Sequence, residues 1–191
     1  THHTFSFADY YDPQRMHFGA LRVLNDDTVA PSDGFGTHPH SNMEIVTIPI
    51  SGELTHGDSM GHSETISHGE IQVMSAGTGL RHSEMNRSEN MPVEFLQIWV
   101  IPDRENVAPR YAKGVIKKLI KSNEITTIVS PYPGDGKEGL WIYQQAWFSV
   151  GYLSKGTRQK YTLKSKESYG VYAFVIKGSA KVAGIELGER D

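Results

Sequence analysis

A chain of 191 residues, 38% hydrophobic, 21% charged and 10% aromatic, is long enough for one large or two small packed domains. A net charge of −3 and a pI of about 6.3 give no electrostatic ground for direct nucleic-acid binding, which asks for a concentrated basic face. There is no cysteine, which excludes disulfides, thiolate ligands and a cysteine nucleophile and fits a cytoplasmic setting, and no apolar run approaches the roughly 18 residues of a membrane span.

The chain opens with His2, His3 and His17, which precede any patterned segment; the first two read as mobile. The first chemical cluster is Gly36-Thr37-His38-Pro39-His40-Ser41-Asn42-Met43-Glu44. On a strand, residues two apart face one side at roughly 6.5–7 Å spacing, so His38 and His40 can point together into a barrel. Glu44 shares their parity and faces the same way if no bulge intervenes. Alternating apolar runs then predict strands over Glu44–Ile50, Glu70–Met74 and Val93–Ile101. His56, His62 and His68 fall in the intervening hairpin region and read as solvent-facing turn residues. The small-residue stretch Ser75-Ala76-Gly77-Thr78-Gly79-Leu80-Arg81 leads into His82 and Glu84, a second same-face pair. Two such pairs from distant stretches offer three nitrogens and one carboxylate oxygen, a donor set that accepts Fe(II), Ni(II), Mn(II), Zn(II) or Cu(II) and leaves positions open. Parity alone does not choose between Glu44 and Glu84.

Asp103–Lys121 is the most helix-tolerant segment, but Pro109 and Gly114 interrupt it, and it reads as a linker with one short helical turn. Its lysines, Lys117, Lys118 and Lys121, read as a solvated face. Further strands are expected over Leu140–Trp147 and Tyr169–Ile176.

The two halves repeat weakly. Val46–Leu54 followed by His68-Gly69-Glu70 parallels Ala173–Val182 followed by Leu187-Gly188-Glu189, with glycines at sharp corners between strands. An all-β protein of two related barrels follows, with residues 1–115 as the first and 116–191 as the second. All nine histidines lie at or before His82, so a histidine-ligated site belongs to the first. The chain stops two residues after Glu189, so the second barrel is expected to lack its closing strands, through truncation or missing residues.

At these residues the sequence resembles the pirin family of the cupin superfamily. Gly34–Gly52 is similar to the first cupin motif and Gly69–Asn86 to the second. The wording is closer still to the bacterial pirin-like quercetinases, in Thr4–Pro13, Leu21–Asp27, Gly34–His40, Asp58–Gly61, Met74–Glu84 and Leu96–Trp99. The resemblance implies a bicupin, two double-stranded β-helix domains, with one metal in the first. The implied ligands are His38, His40, His82 and Glu84, and the implied ion is foremost Fe(II). Ser41-Asn42-Met43 departs from the pattern, in which a basic or acidic residue is commoner after the His-x-His pair. The activity implied is quercetin 2,3-dioxygenase: a flavonol and O2 as substrates, ring opening, and release of carbon monoxide. Glu84 would take the substrate proton, with Glu44 as second candidate. Phe5, Phe7, Phe35, Met43 and Met74 are candidates for the apolar slot a flat polyphenol needs. The alternative the same resemblance implies is a metal-binding regulatory protein that acts on a protein partner without turnover.

Overall fold

The computed structural model describes residues 1–133, 139–164 and 169–191. They form two compact units, Thr1–Gln159 and Lys160–Asp191. Among the described residues there is no helix, and thus none long and apolar enough to cross a membrane.

The first unit begins with β1 (His2–His3), β2 (Leu21–Val29), β3 (Gly34–His40), β4 (Glu44–Ser51) and β5 (Glu53–Asp58). It continues with β6 (Ser63–Ser67), β7 (Glu70–Ser75), β8 (Leu80–Met85), β9 (Val93–Val100) and β10 (Arg110–Val115). A six-stranded sheet in the order β1-β2-β9-β4-β7-β10 faces a four-stranded sheet in the order β3-β8-β5-β6. Val29, Leu54, Ile66, Val93 and Phe95 come from both sheets and form one apolar cluster. Ile45, Met74, Ala76 and Leu80 form another, with Met43 and Trp99 packed against it. Full burial of a side chain such as Phe95 stabilises the fold by about 1.5–3 kcal/mol.

Strand parity then places a polar layer between the two clusters. Thr47 stands two residues from Ile45, Gln72 two from Met74, and Gln97 two from both Phe95 and Trp99. Asp27, Thr47, Gln72, Glu84 and Gln97 are all buried at this level.

The expected strands over Glu44–Ile50, Glu70–Met74 and Val93–Ile101 correspond to β4, β7 and β9. Asp103–Lys121 differs from the expected linker, because it contains β10. That strand pairs antiparallel with β7 from Arg110↔Ser75 to Val115↔Glu70 and so satisfies the edge of β7, with Pro109 just before it. The single helical turn lies after the strand, where Leu119 and Ile120 donate to the Ile116 carbonyl at 2.9 and 3.2 Å. His2 and His3 are not loose: they pair with Asp26 and Asn25 of β2.

The rest of the first unit is a three-stranded sheet in the order β12-β11-β13, built from β11 (Ile125–Pro131), β12 (Leu140–Ile142) and β13 (Phe148–Gly151). Of the expected Leu140–Trp147 strand, the first three residues form β12, parallel to Val129–Pro131. In the second unit, β14 (Ala180–Val182) and β15 (Ile185–Leu187) form a hairpin. Its two-residue turn, Ala183 and Gly184, has φ of 50° and 89°, the left-handed pair that matches strand twist. The expected strand over Tyr169–Ile176 is not formed. Its Val175 exchanges backbone hydrogen bonds with Asp191 and Arg190, but that contact does not extend into a ladder.

The loop Ala76–Gly79 between β7 and β8 is tied to two other segments: Ala76 N–H donates to Met43, Thr78 N–H to Val107, and Gly77 accepts from Asn42. Gly77 has φ of 47°, and a Cβ there would run into the Val107 carbonyl oxygen. A side chain would add left-handed strain to that clash. We expect Gly77→Ala to lower unfolding free energy by at least about 1 kcal/mol, read as a reduced midpoint in chemical denaturation.

Candidate metal centre

The site is assembled by two strand registers. β3 pairs antiparallel with β8, with His38 opposite His82 and Phe35 opposite Glu84, the mismatch being absorbed by a bulge between Phe35 and His38. β8 pairs with β5, with His56 opposite Glu84 and Asp58 opposite His82. Directly opposed residues share a face, so the side chains of His38, His82, Glu84, His56 and Asp58 gather on the inner face of the four-stranded sheet. His40, two residues beyond His38, joins them.

The three imidazoles of His38, His40 and His82 converge. Ring centroids are 4.5 Å apart for His38–His82, 4.8 Å for His38–His40 and 4.9 Å for His40–His82. One nitrogen of each lies within 4.8 Å of the others. His38 Nδ1 donates to the Gly36 carbonyl at 2.7 Å, which leaves the Nε2 lone pair outward from the ring. The Nε2 atoms of His40 and His82 are buried without a hydrogen-bond partner. Buried polar atoms are nearly always paired, and two orphaned imidazole nitrogens facing one point are what a bound cation accounts for. Burial pushes the pKa of His40 down to about 4, with the neighbouring His38 adding to it. Burial and then the charges of His38, His40 and His56 push His82 to about 3. Both rings thus stay neutral, with lone pairs available, well below neutral pH.

Glu84 stands one level deeper. Its Oε1 accepts from Gln72 Nε2 at 2.8 Å and its Oε2 from Gln97 Nε2, while the Thr47 hydroxyl lies 3.2 Å from Oε1. A carboxylate oxygen groups with His82 and His56 within 4.8 Å rather than with the His38–His40–His82 set. Burial raises its pKa to about 7, against the lowering effect of the bonds from Thr47, Gln97 and Gln72.

Glu44 is placed elsewhere. Between His40 and Glu44 the chain turns at Asn42, with φ of 45°, and this breaks the parity that would have carried Glu44 inward. Ile45 and Thr47 take the inner face, so Glu44 lies on the outer one. There it accepts from Ser75 Oγ at 2.8 Å, and Arg110 Nη1 reaches the same hydroxyl at 3.3 Å. His56 also departs from expectation: it is fully buried and not solvent-facing, because Leu54 and His56 share the inner face of β5. His62 is half-buried and His68 is exposed.

Of the candidate slot residues, Met43 and Met74 lie in the cluster around Ile45. Phe7 meets Trp99 edge-on at 5.2 Å, and Trp99 in turn meets His40 edge-on at 4.8 Å. Phe35 stacks edge-on against Phe95 of the opposite cluster, and Phe5 is buried. Trp99 was absent from the expected slot. Thr47, Gln72 and Gln97 were also missed, though each is a polar residue at an inward position of an otherwise apolar strand, which is a readable signal.

Comparison with known proteins places the chain in a family. The family model described as Pirin matches residues 1–100, and that described as Quercetinase C-terminal cupin domain matches residues 127–191. The chain belongs to the pirin family. It is 39% identical over 189 residues to the Quercetin 2,3-dioxygenase of Escherichia coli strain K12, covering 99% of this chain and 79% of that protein. A Pirin-like protein of Caulobacter vibrioides is 40% identical over 190 residues, covering 99% of this chain and 80% of the relative. The crystal structure of the bacterial pirin YhhW from Escherichia coli in complex with nickel(II) superposes with a TM-score of 0.81 at 37% identity, over 98% of this chain and 78% of that one. As in other pirins, the fold is that of a bicupin.

Titration of this pirin's buried groups has a definite sign. Burial raises Glu44 to about 7, against the lowering contacts of Ser75, the Tyr143 backbone and Arg110. Between the unfolded value near 4.5 and this folded value, the native state holds a proton that the unfolded chain has released. Its contribution to stability therefore falls as pH rises through that window. Glu44→Gln removes the titration, so the melting temperature of the metal-free variant, relative to the unmodified protein, should be higher at pH 8 than at pH 5. An unchanged difference between the two pH values would show that Glu44 is ionised throughout.

Proposed function

We propose that this chain is a metal-dependent dioxygenase of the pirin type, which cleaves a flavonol such as quercetin with O2 and releases carbon monoxide. The observation that carries the reading is the pair of orphaned imidazole nitrogens on His40 and His82, converging with His38 beneath Trp99. The names of the relatives supply the substrate class. The nitrogen donors would be His38, His40 and His82, with Glu84 as the carboxylate donor, two residues from His82 on the same face of β8. We infer a single divalent ion, Fe(II) foremost, with Ni(II), Cu(II), Mn(II) and Zn(II) accepted by the same donors. The first cupin domain would end near residue 115, where β10 completes its large sheet.

The bound ion would supply Lewis acidity, lowering the pKa of an enolic hydroxyl and holding it in place. The chain's own residues do the rest. Trp99, Phe7 and Met43 offer apolar surface beside His40, against which a planar ring system would pack. Glu84, with its proton affinity raised by burial to near neutrality, is suited to accept the hydroxyl proton. Gln72 and Gln97 hold its carboxylate by donating to the two oxygens of the anion. Orientation and exclusion of water are the main services of the barrel.

The test is to load the full-length protein with metal and follow quercetin absorbance in air and under nitrogen. Bleaching confined to air, with carbon monoxide released, is the expected result. Full metal occupancy without bleaching would overturn the enzyme reading in favour of a metal-binding regulator of a protein partner. For the ligands, His38→Ala or His82→Ala should remove most of the metal measured by elemental analysis, while Glu44→Gln keeps it. Loss on Glu44→Gln and retention on Glu84→Gln would reverse the carboxylate assignment.

A further inference from the structure

Behind His82 lies a second imidazole with a carboxylate behind it. His82 Nδ1 is 3.4 Å from His56 Nδ1, and His56 Nε2 is 3.0 Å from Asp58 Oδ2. The side chains of His56 and Asp58 are fully buried and His82 is 1% exposed. The Tyr111 ring stacks on His56 at 4.4 Å and 16°, and its hydroxyl donates to Gln72 Oε1 at 3.2 Å, so the His56 ring plane is held from one side. Asp58 is itself anchored. Its Oδ1 accepts from the backbone N–H of Met60 at 2.9 Å and of His62 at 3.1 Å, and His62 Nδ1 lies 2.9 Å from Oδ2.

The hydrogen-bond inventory of these groups settles their tautomers. An ionised carboxylate only accepts, so His56 Nε2 must carry a proton towards Asp58. A neutral ring then has its lone pair on Nδ1. His82 Nδ1, facing that lone pair, must carry the proton of its own ring. The remaining nitrogen, His82 Nε2, is left with a lone pair, and it is one of the two orphaned nitrogens of the histidine cluster. We propose that Asp58 is a positioning residue of the metal centre, acting through His56 to hold His82 in the Nδ1–H tautomer that leaves Nε2 free for the ion. Such outer partners fix the ring orientation and basicity of a ligating histidine, and their loss typically weakens metal binding about 10–100-fold. The same bonds explain why His56, although grouped with His82 and Glu84, is no second set of ligands: both of its nitrogens are engaged.

The inference rests on the reading of His38, His40 and His82 as ligands, but it can be tested without metal. Long-range 15N–1H spectra of the metal-free protein, labelled at histidine, report the tautomer of each ring. The expected state is Nδ1–H for His82 and Nε2–H for His56. Asp58→Asn is nearly isosteric. Its oxygen would stay on the Met60 and His62 N–H groups, which turns its NH2 towards His56 Nε2. That reverses the His56 tautomer, sets two N–H groups against each other, and drives His82 to Nε2–H. The variant should therefore show both tautomers exchanged and bind Ni(II) about 10–100-fold more weakly in calorimetry. A merely structural role would lower the melting temperature and leave the tautomers unchanged. An Nε2–H tautomer of His82 in the unmodified protein would overturn the proposal, and that measurement needs no variant to fold. If Ni(II) does not bind the unmodified protein while the tautomers are as expected, the ligand reading fails and the hydrogen-bonded chain stands.

Discussion

The antiparallel pairing of β8 with β3 on one side and β5 on the other is the constraint from which the site follows. It sets His38, His82 and Asp58 in one row across three strands, and His56 beside Glu84 in the adjacent row. Because side chains alternate with a period of two, a slip of one residue in either register would send His82 and Glu84 to the solvent face together. The bulge between Phe35 and His38 belongs to this register, since it lets His38 meet His82 although Phe35 already meets Glu84. A close approach of the strands goes with it. A Cβ on Gly34 would collide with the Glu84 backbone and with Met85, so glycine is needed where β3 enters the pairing.

Against that geometry the energetics are unfavourable. A carboxylate and several imidazoles removed from water cost several kcal/mol if left unsatisfied. The structure offsets this for Glu84 with two amide donors and a hydroxyl, and for His56 with Asp58 and His82. The apolar clusters on either side, centred on Phe95 and on Ile45, supply the burial that makes such a layer tolerable. Two of the buried atoms left unsatisfied, His40 Nε2 and His82 Nε2, lie where the three rings meet. That residue of unpaired polarity distinguishes a binding site from a merely buried polar network.

Much of this was legible in the sequence, and the misses have physical causes. Parity along short strands was enough to bring together His38 with His40 and His82 with Glu84. It failed for Glu44 because Asn42 turns the chain before β4 begins, and a left-handed residue leaves no trace in an apolar/polar alternation. His56 read as a turn residue because it falls in the hairpin region between the two patterned strands. Only the pairing of β5 with β8, a long-range contact, puts it under Tyr111. The glutamines at positions 72 and 97 stand out as polar residues in apolar strands, but what they do there depends on the carboxylate of a third strand. β10 was hidden by Pro109 and Gly114, which argue against a helix but do not forbid an edge strand. The strand expected over Tyr169–Ile176 shows the converse: an apolar alternation becomes a strand only along a ladder of backbone bonds, and those of Val175 with Asp191 and Arg190 do not extend into one.

The histidine layer is also asymmetric, and this bears on how a substrate would meet it. On its deep side Glu84 is held by amides, His56 by Asp58 and Gln72 by Tyr111. His38 and His40 are only partly buried, and Trp99 stands edge-on to His40 with Phe7 behind it. The accessible side of the layer is therefore that of His38 and His40, where Pro39, Ser41, Leu80 and Arg81 line an open pocket against His40. Approach from the deep side would break the bonds that hold Glu84, His56 and Gln72, each leaving a polar group uncompensated at about 1–3 kcal/mol. The asymmetry is thus built into the packing: the fixed donors behind His82 and Glu84 hold the cluster in shape from the closed side, and its open side is left to His38 and His40.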